Sequence, residues 1–372
     1  MKTMNRIFPG LLLATLMLAA CDNDPIDFDD FTTQSVYFPL QYPIRTIVLG
    51  EDRIDNSIDL QKAFNIGVSI GGLLENTTDR SVDFILDPSI FPDVTAPVLK
   101  DTLYGKDMNG VNSKLLILPS NYYSMVPNAQ VTVLKGSFDG LIRINLTDAF
   151  FNDPDAIKLK YVLPLRITDV PEGFSLLTGI VSAPSIVSPR WYVTADWAAG
   201  FLPKDFTLFA VKFINPWHGT FFYRGVQNKD GVISRFHAID ISANQTAKIE
   251  TVGLKKAIYN RMGEKLGVTY KSLLTFSDDI NGVGDITVSQ APGTTYTISG
   301  SGKYYKSSTA FGKENGWTVD PLTGQIKGSL TITLDFTVQG LAGATTHQFT
   351  DTLVCRGNDV KFEEFTIARP IL

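Results

Sequence analysis

Apolar and polar residues alternate along this chain in short runs, and no long run has the period of an amphipathic helix. The clearest cases are residues 64–70, Phe-Asn-Ile-Gly-Val-Ser-Ile, and residues 330–338, Leu-Thr-Ile-Thr-Leu-Asp-Phe-Thr-Val. Alternation with period two places apolar side chains on one face of a β-strand and polar side chains on the other. Glycine, proline, asparagine and aspartate end most of these runs. The pattern therefore predicts an all-β protein.

The same pattern predicts two different β-architectures. About eight short runs, each ended by turn residues, lie between residues 35 and 167, which is typical of an antiparallel β-sandwich. One helical turn is expected at residues 147–151, where Thr147 and Asp148 can cap it. Beyond residue 205 the strands follow one another as a meander, and closing a meander removes its unpaired edges. We predict a lipocalin-like antiparallel β-barrel there, with a second β-sandwich as the alternative.

The first twenty residues have the pattern of an export signal. Lys2 and Arg6 precede an apolar run from Ile7 to Ala20, and this run is too short to span a bilayer. Leu18-Ala19-Ala20-Cys21 resembles a bacterial lipobox, in which the cysteine becomes the acylated N-terminus of the mature protein. We therefore predict lipidation at Cys21. The alternative is an ordinary signal peptide followed by a chance cysteine.

An acidic segment follows the cysteine. Residues 22–30 contain five aspartates in nine positions, so they cannot form a core and are expected to remain solvated as a tether. Acidic residues at this place also resemble the tag that directs Bacteroidetes lipoproteins to the outer face of the outer membrane. The predicted location is therefore the outer membrane, lipid-anchored and exposed at the cell surface.

These features divide the chain into five predicted parts. Pro184 and Pro189 stiffen the segment between them and oppose a helix across it, so this segment is predicted to connect two separately folding cores. The parts are a signal peptide at 1–20, an acidic tether at 21–30, a β-sandwich domain at 31–183, a linker and interdomain segment at 184–204, and a β-barrel domain at 205–372.

Composition and charge agree with an exported globular protein. Apolar residues make up 44% of the 372 residues, which is ample for two cores. Without the signal peptide, 31 basic residues face 38 acidic ones, a net charge of −7. With no basic patch in the sequence, nucleic acid is not expected as a partner. Cys355 is the only other cysteine, so acylation of Cys21 leaves no intramolecular disulfide.

An ordered series of short motifs resembles a known family. The motifs are Tyr37-Phe38-Pro39, Arg45-Thr46, Phe64-Asn65-Ile66-Gly67-Val68, Glu75-Asn76, Asp79-Arg80, Leu118-Pro119, Tyr122-Tyr123, Leu146-Thr147-Asp148-Ala149-Phe150-Phe151 and Tyr161-Val162-Leu163-Pro164-Leu165. Over residues 31–178 they resemble the N-terminal immunoglobulin-like domain, of unknown function, of Bacteroidetes surface lipoproteins. Residues 203–219 are similar to the start of the C-terminal domain of the same proteins. The resemblance implies an immunoglobulin-like sandwich, no catalytic residue, and an association with Sus-type glycan-uptake systems.

The motifs of catalysis and of metal binding are missing from the sequence. His218, His237 and His347 are the only histidines, and none has metal-ligand spacing with another histidine or a cysteine. No Gly-x-Ser-x-Gly elbow occurs. Asp153 and Asp155 flank a proline in one loop, whereas glycosidases place two carboxylates on opposite sides of a cleft. We therefore predict a protein without enzymatic activity, cofactor or metal.

Aromatic residues in polar surroundings are the candidate ligand contacts, because a sugar ring stacks an apolar face on an aromatic ring while its hydroxyls form hydrogen bonds. Trp317 lies in a polar segment and is the first candidate, with capping of one barrel end as the alternative. Trp191 and Trp197 are candidates too, although packing between domains is the simpler interpretation for them. The complete candidate site comprises Trp317, Glu314, Asn315, Tyr304, Tyr305, Trp191 and Trp197.

Three functions remain open at this point. The first is a non-catalytic surface lipoprotein that binds oligo- or polysaccharide beside a Sus-type transporter. The second is a structural or adhesive surface lipoprotein. The third is a glycan-cleaving enzyme, which would need a carboxylate pair that only the folded chain can assemble.

Overall fold

The structure is a computed structural model. It describes residues 29–52, 54–90, 103–187, 189–262, 265–266, 271–311, 332–342 and 345–368. Within these ranges the helices are short: α1 is Ser57–Leu60 and α2 is Asp148–Asn152. Helix α2 covers the predicted helical turn, although the Thr147 hydroxyl donates to the carbonyl of Asn121 and does not cap it. No helix in the described part of the chain is long and apolar enough to cross a membrane.

Strands make up most of the described chain. The N-terminal half contains β1 Gln34–Tyr37, β2 Pro43–Val48, β3 Ala63–Gly71, β4 Arg80–Leu86, β5 Tyr104–Lys106, β6 Asn112–Lys114, β7 Leu116–Ile117, β8 Tyr123–Val126, β9 Gln130–Val133, β10 Asp139–Leu146, β11 Tyr161–Asp169, β12 Phe174–Leu176 and β13 Phe206–Ile214. The C-terminal half contains β14 Gly219–Lys229, β15 Val232–Phe236, β16 Thr246–Gly253, β17 Lys256–Tyr259, β18 Arg261–Met262, β19 Lys265–Leu266, β20 Ser272–Phe276, β21 Val283–Gln290, β22 Thr297–Lys306, β23 Ile332–Ala342, β24 Thr345–Gly357, β25 Glu363–Glu364 and β26 Thr366–Ala368.

Two sheets form a β-sandwich in the N-terminal half. The first has the strand order β12-β1-β3-β10-β8, and the second has the order β25-β2-β13-β11-β4-β9. Strand β10 alternates as predicted, with Ile142, Ile144 and Leu146 buried against the second sheet. Most pairings are antiparallel, but β2 runs parallel to β13. A third, small sheet of β26, β5 and β6 lies next to a further apolar core that contains Val162 of β11 and Phe206 of β13.

The prediction that the barrel domain begins at residue 205 is wrong by one strand. Strand β13 lies between β2 and β11 in the middle of the second sandwich sheet. Its sequence is apolar at nearly every position, which suits a central strand that is covered on both faces. Residues 184–204 therefore belong to a loop between β12 and β13 and do not connect two domains. The connector is the short segment after Ile214, where the Asn215 side chain donates to the carbonyls of Gly253 and Lys256.

The C-terminal half is a closed eight-stranded antiparallel barrel, as predicted. Its order is β14-β16-β17-β20-β21-β22-β23-β24, and pairing of β14 with β24 closes it. This closure rules out the second sandwich. Trp217 stacks on Phe276 inside the barrel, with ring centroids 3.9 Å apart, and Tyr304 meets Trp217 edge-on. After β24 the chain returns to the sandwich, where β25 pairs with β2 and β26 with β5.

Candidate ligand groove

The structure separates the residues of the predicted site. Cys21, Glu314, Asn315 and Trp317 lie outside the described residues. Tyr304 and Tyr305 lie next to each other on β22 but have different surroundings. Tyr304 faces the barrel interior, is 2% exposed, and its hydroxyl donates to the carbonyl of Ser277 at 2.8 Å. The half-buried ring of Tyr305 packs on Phe311 with centroids 4.1 Å apart.

Trp191 and Trp197 both lie in the loop between β12 and β13 and have different environments. Trp197 turns its indole N–H to the carbonyl of Arg190 at 3.0 Å, and its ring covers Gly179, where a Cβ would lie 2.8 Å from ring carbons. Trp191 packs on the sandwich itself, 5.0 Å from the ring of Phe206 and 6.2 Å from that of Tyr42. Neither tryptophan lies between the sandwich and the barrel.

An ion pair and backbone hydrogen bonds connect the two sides of the loop that carries Trp191. Asp196 is buried and accepts hydrogen bonds from the Arg190 guanidinium at 3.0 and 3.1 Å, as well as from the Arg190 backbone N–H at 2.9 Å. This ion pair keeps the pKa of Arg190 above its usual value. Backbone hydrogen bonds from Ala198 to Ile180 and from Ser182 to Asp196 join the two sides of the loop. The aromatic residues on this loop are therefore held in place before any ligand arrives.

A groove on the sandwich brings three distant segments together around Trp191. Its volume is about 370 Å³. One side is formed by the start of β2, a second by the loop between β12 and β13, and a third by the C-terminal strands β25 and β26. The aromatic residues of the groove are Tyr42, Trp191 and Tyr192, and its polar residues are Gln41, Thr194, Glu364 and Thr366.

The three rings offer faces in more than one direction. The planes of Tyr42 and Trp191 are inclined by 30°, whereas Tyr192 meets Trp191 at 78° with centroids 5.0 Å apart. All three are half-buried, so each keeps part of its surface in the groove. Burial raises the pKa of Tyr42, and its hydroxyl therefore stays protonated at neutral pH. Apolar faces flanked by hydroxyl, amide and carboxylate groups are what a carbohydrate ring requires.

The side chains of the groove suit the binding of a carbohydrate better than the cleavage of a glycosidic bond. Among its described lining residues Glu364 is the single carboxylate, whereas hydrolysis of a glycosidic bond uses a pair. Asp153 and Asp155 lie elsewhere: Asp153 accepts a hydrogen bond from the Tyr122 hydroxyl at 3.0 Å and another from Tyr161, and Asp155 pairs with Lys160. His218 accepts a hydrogen bond from the backbone N–H of Thr251, and burial lowers its pKa.

Two other features of the molecule are weaker candidates for a ligand site than the groove. A wider cleft of about 560 Å³ separates residues 151–154 of the sandwich from residues 252–256 of the barrel, but Lys255 on its wall is paired with Asp278 at 2.7 Å and Asp153 is engaged as above. No cluster of metal-binding side chains occurs among the described residues. The groove therefore remains the better candidate for a ligand.

Sequence reasoning found one of the three aromatic residues and missed the other two. Tyr192 could have been found from the sequence, because it directly follows Trp191. Tyr42 and Glu364 had no such signal, since 322 positions separate them in the sequence and only the pairing of β25 with β2 brings them together.

Comparison with known proteins finds a similar fold in a Bacteroides protein. A family model described as an N-terminal domain matches residues 31–172. A crystal structure of a Bacteroides ovatus protein of unknown function is similar over 91% of this chain and 100% of its own, with 28% identity and a TM-score of 0.73. An auxiliary nutrient binding protein from Bacteroides thetaiotaomicron aligns over 83% of this chain and 89% of its own at 12% identity, but its TM-score of 0.36 is too low to support an argument. No curated protein matches.

Proposed function

We propose that this chain is a non-catalytic lipoprotein that is anchored in the outer membrane by Cys21 and binds oligo- or polysaccharide at the cell surface, beside a Sus-type transporter. The observation that carries the proposal is the groove around Tyr42, Trp191 and Tyr192. Its rings provide stacking surface, and Glu364 and Gln41 provide hydrogen-bonding groups at the edge.

The construction of the groove supports binding without a large conformational change. The Arg190–Asp196 ion pair fixes the loop, and two β-strands form the opposite side, so little conformational freedom remains to be lost when a ligand binds. Its volume of about 370 Å³ suits a short stretch of a polysaccharide rather than a whole chain.

The N-terminal sequence supports the proposed location at the outer membrane. The lipobox ends at Cys21, and the acidic residues after it provide a tether that holds the folded body away from the bilayer. Metabolic labelling with a clickable palmitate analogue tests the anchor, because the change Cys21→Ser should abolish the label. Cleavage of the protein on intact cells by external protease tests its exposure at the surface.

Replacement of Tyr192 tests the groove directly. The mature chain carrying Cys21→Ser is titrated calorimetrically with a panel of soluble plant and microbial polysaccharides. We expect at least one of them to bind, and Tyr192→Ala to weaken that binding about tenfold, since an aromatic stacking contact is worth about 1 kcal/mol or more. Because Tyr192 is only half-buried, the melting temperature should change little.

Phe201→Ala is the matched control. Phe201 is an aromatic residue on the same loop, is 55% exposed, and lies outside the groove. Its replacement should leave the affinity unchanged. Binding of no polysaccharide in the panel, or the same loss of affinity in both variants, would overturn the proposal.

A further inference from the structure

The interior of the barrel changes from apolar to polar toward one end. Trp217, Phe276 and Tyr304 fill one region, whereas charged and hydroxyl side chains from five strands fill another. This polar layer consists of Tyr223 on β14, Tyr259 on β17, Arg261 on β18, Ser272 on β20 and Asp351 on β24, and each of its members is at most 2% exposed.

The layer leaves several hydrogen-bonding atoms unsatisfied. Asp351 accepts a hydrogen bond from the Tyr259 hydroxyl at 2.8 Å through Oδ2. Four other atoms have no hydrogen-bond partner within the described part of the chain, namely Asp351 Oδ1, Tyr223 Oη, Arg261 Nε and Ser272 Oγ. Burial and then the nearby Asp351 raise the pKa of Tyr223, so these two groups lie close together.

Unsatisfied atoms in such number need a binding partner. A buried polar atom without a partner costs a substantial part of the stability of a domain, and native interiors contain few of them. Four in one layer of one barrel indicate that another molecule completes the hydrogen bonds. That molecule must accept from Arg261 Nε, donate to Asp351 Oδ1, and match two hydroxyls that can do either.

A cavity borders the layer at Tyr223, which is the one of these four groups that lines it. It measures about 160 Å³, similar in size to the engineered cavity of about 150 Å³ that holds one benzene ring. Tyr223 and Gln245 line it and also contact the layer, since Arg261 donates to Gln245 Oε1 and lies 4.1 Å over the Tyr223 ring. Phe236 adds a second aromatic wall, 6.3 Å from Tyr223. Gln245 is exposed and connects this cavity to solvent.

The charges of the layer restrict the ligand. Above about pH 7, where Asp351 is ionised, its charge balances that of Arg261, so a ligand with net charge would leave an uncompensated charge in the interior. An apolar ligand would leave the four atoms unsatisfied. An amino acid would need the Arg261 Nη atoms for its carboxylate, and these atoms already donate to Gln245 and to the carbonyl of Thr246.

We infer that the polar layer and the adjoining cavity form a second ligand site, which binds one neutral polyhydroxylated ring such as a monosaccharide. Ring hydroxyls both donate and accept, as the four atoms require, and the ring itself lies against Tyr223 and Phe236. This site is separate from the groove on the sandwich, and the inference does not depend on the function proposed for that groove.

Saturation-transfer difference NMR on the mature chain with Cys21→Ser tests this site, with D-glucose, D-galactose, D-mannose, L-fucose and L-alanine as probes. We expect a signal from at least one monosaccharide and none from L-alanine. Tyr223→Phe and Ser272→Ala each remove one hydroxyl with almost no change in shape. Each should weaken the affinity by about threefold to tenfold. Neither should lower the melting temperature, because the hydroxyl that is removed has no partner in the unliganded protein.

Phe201→Ala is the control, because Phe201 lines neither the groove nor the cavity, and it should leave the monosaccharide signals unchanged. Loss of the signals in Tyr192→Ala would assign them to the groove and overturn the inference. It would also be overturned by signals from none of the monosaccharides, by equal signals from the wild type and both barrel variants, by a signal from L-alanine alone, or by a crystal structure grown with the sugar that shows only ordered water in the layer.

Discussion

At the scale of the residue, a single carboxylate inside the barrel is expected to control how stability responds to pH. Asp351 is fully buried, and burial raises its pKa from 3.8 to about 7, against the opposing effects of the Tyr259 hydroxyl and the Arg261 charge. The folded protein therefore holds this proton at pH values at which the unfolded chain has released it. A group of this kind contributes stability fully below about pH 4, and that contribution is lost as the pH rises through about 7.

The change Asp351→Asn tests this effect. The free energy of unfolding of the wild type should fall by on the order of 2–4 kcal/mol between about pH 4 and pH 8 because of this group, and the variant should lack this part of the slope. Urea denaturation over a pH series measures it. Asp285→Asn is the control, since Asp285 lies on the exposed side of the barrel, paired with Lys303 at 2.9 Å. If the free energy of unfolding of Asp351→Asn depended on pH as steeply as that of the wild type, the assignment of this effect to Asp351 would be contradicted.

At the scale of the element, strand β13 holds the second sandwich sheet together. It pairs with β11 over residues 206–211 and with β2 over residues 210–214, so its removal splits the sheet in two. It also contributes to two cores, through Phe209 and Phe213 on one side and Phe206 and Leu208 on the other. Among the strands of the described residues, β13 alone pairs with both β2 and β11.

Truncation on either side of β13 tests its importance. A chain of residues 21–183, with Cys21→Ser, lacks this strand, and we expect it not to melt cooperatively, because it exposes both apolar cores and two strand edges. A chain of residues 21–214 restores the strand and should melt cooperatively, below the temperature of the full chain. Differential scanning calorimetry distinguishes the two. A cooperative transition in the shorter chain would show that the sandwich does not depend on β13.

At the scale of the whole molecule, the C-terminal segment links the barrel back to the sandwich. After β24 it adds β25 and β26 to two different sheets, and Glu363 forms a salt bridge with Lys212 of β13 at 2.6 Å. Phe365 fills the core under the groove, 5.7 Å from Tyr42. The groove therefore exists only when both ends of the folded chain are in place.

Replacement of Phe365 tests this link. Phe365→Ala should lower the free energy of unfolding by about 3–4 kcal/mol, because it leaves a cavity in a packed core, and it should also weaken polysaccharide binding at the groove. Phe362→Ala is the control in the same segment, since Phe362 is 63% exposed, and it should change stability by about 0.5 kcal/mol or less. Chemical denaturation and calorimetric titration measure the two effects. Equal stability of the two variants would show that the segment is not part of the core.

The sequence by itself determined the class of the fold and the order of its two parts. Alternation with period two is a local property, and it marks strands such as β10 and β23 without knowledge of their neighbours. The closed meander could be predicted in the same way, because consecutive strands of a meander pair with each other. The export signal and the lipobox at Cys21 remain predictions from linear motifs, which do not depend on the fold.

Only the tertiary structure decided which core each apolar strand joins and which residues meet. An apolar run such as β13 fits the centre of any covered sheet, so its place depends on pairing with β2, more than 150 residues earlier in the chain. Non-local strand pairing also buries Tyr304 beside Trp217. It likewise brings Tyr42, Tyr192 and Glu364 together in one groove. Strand formation follows local periodicity, whereas strand pairing is a non-local choice that is decided by burial of the whole chain.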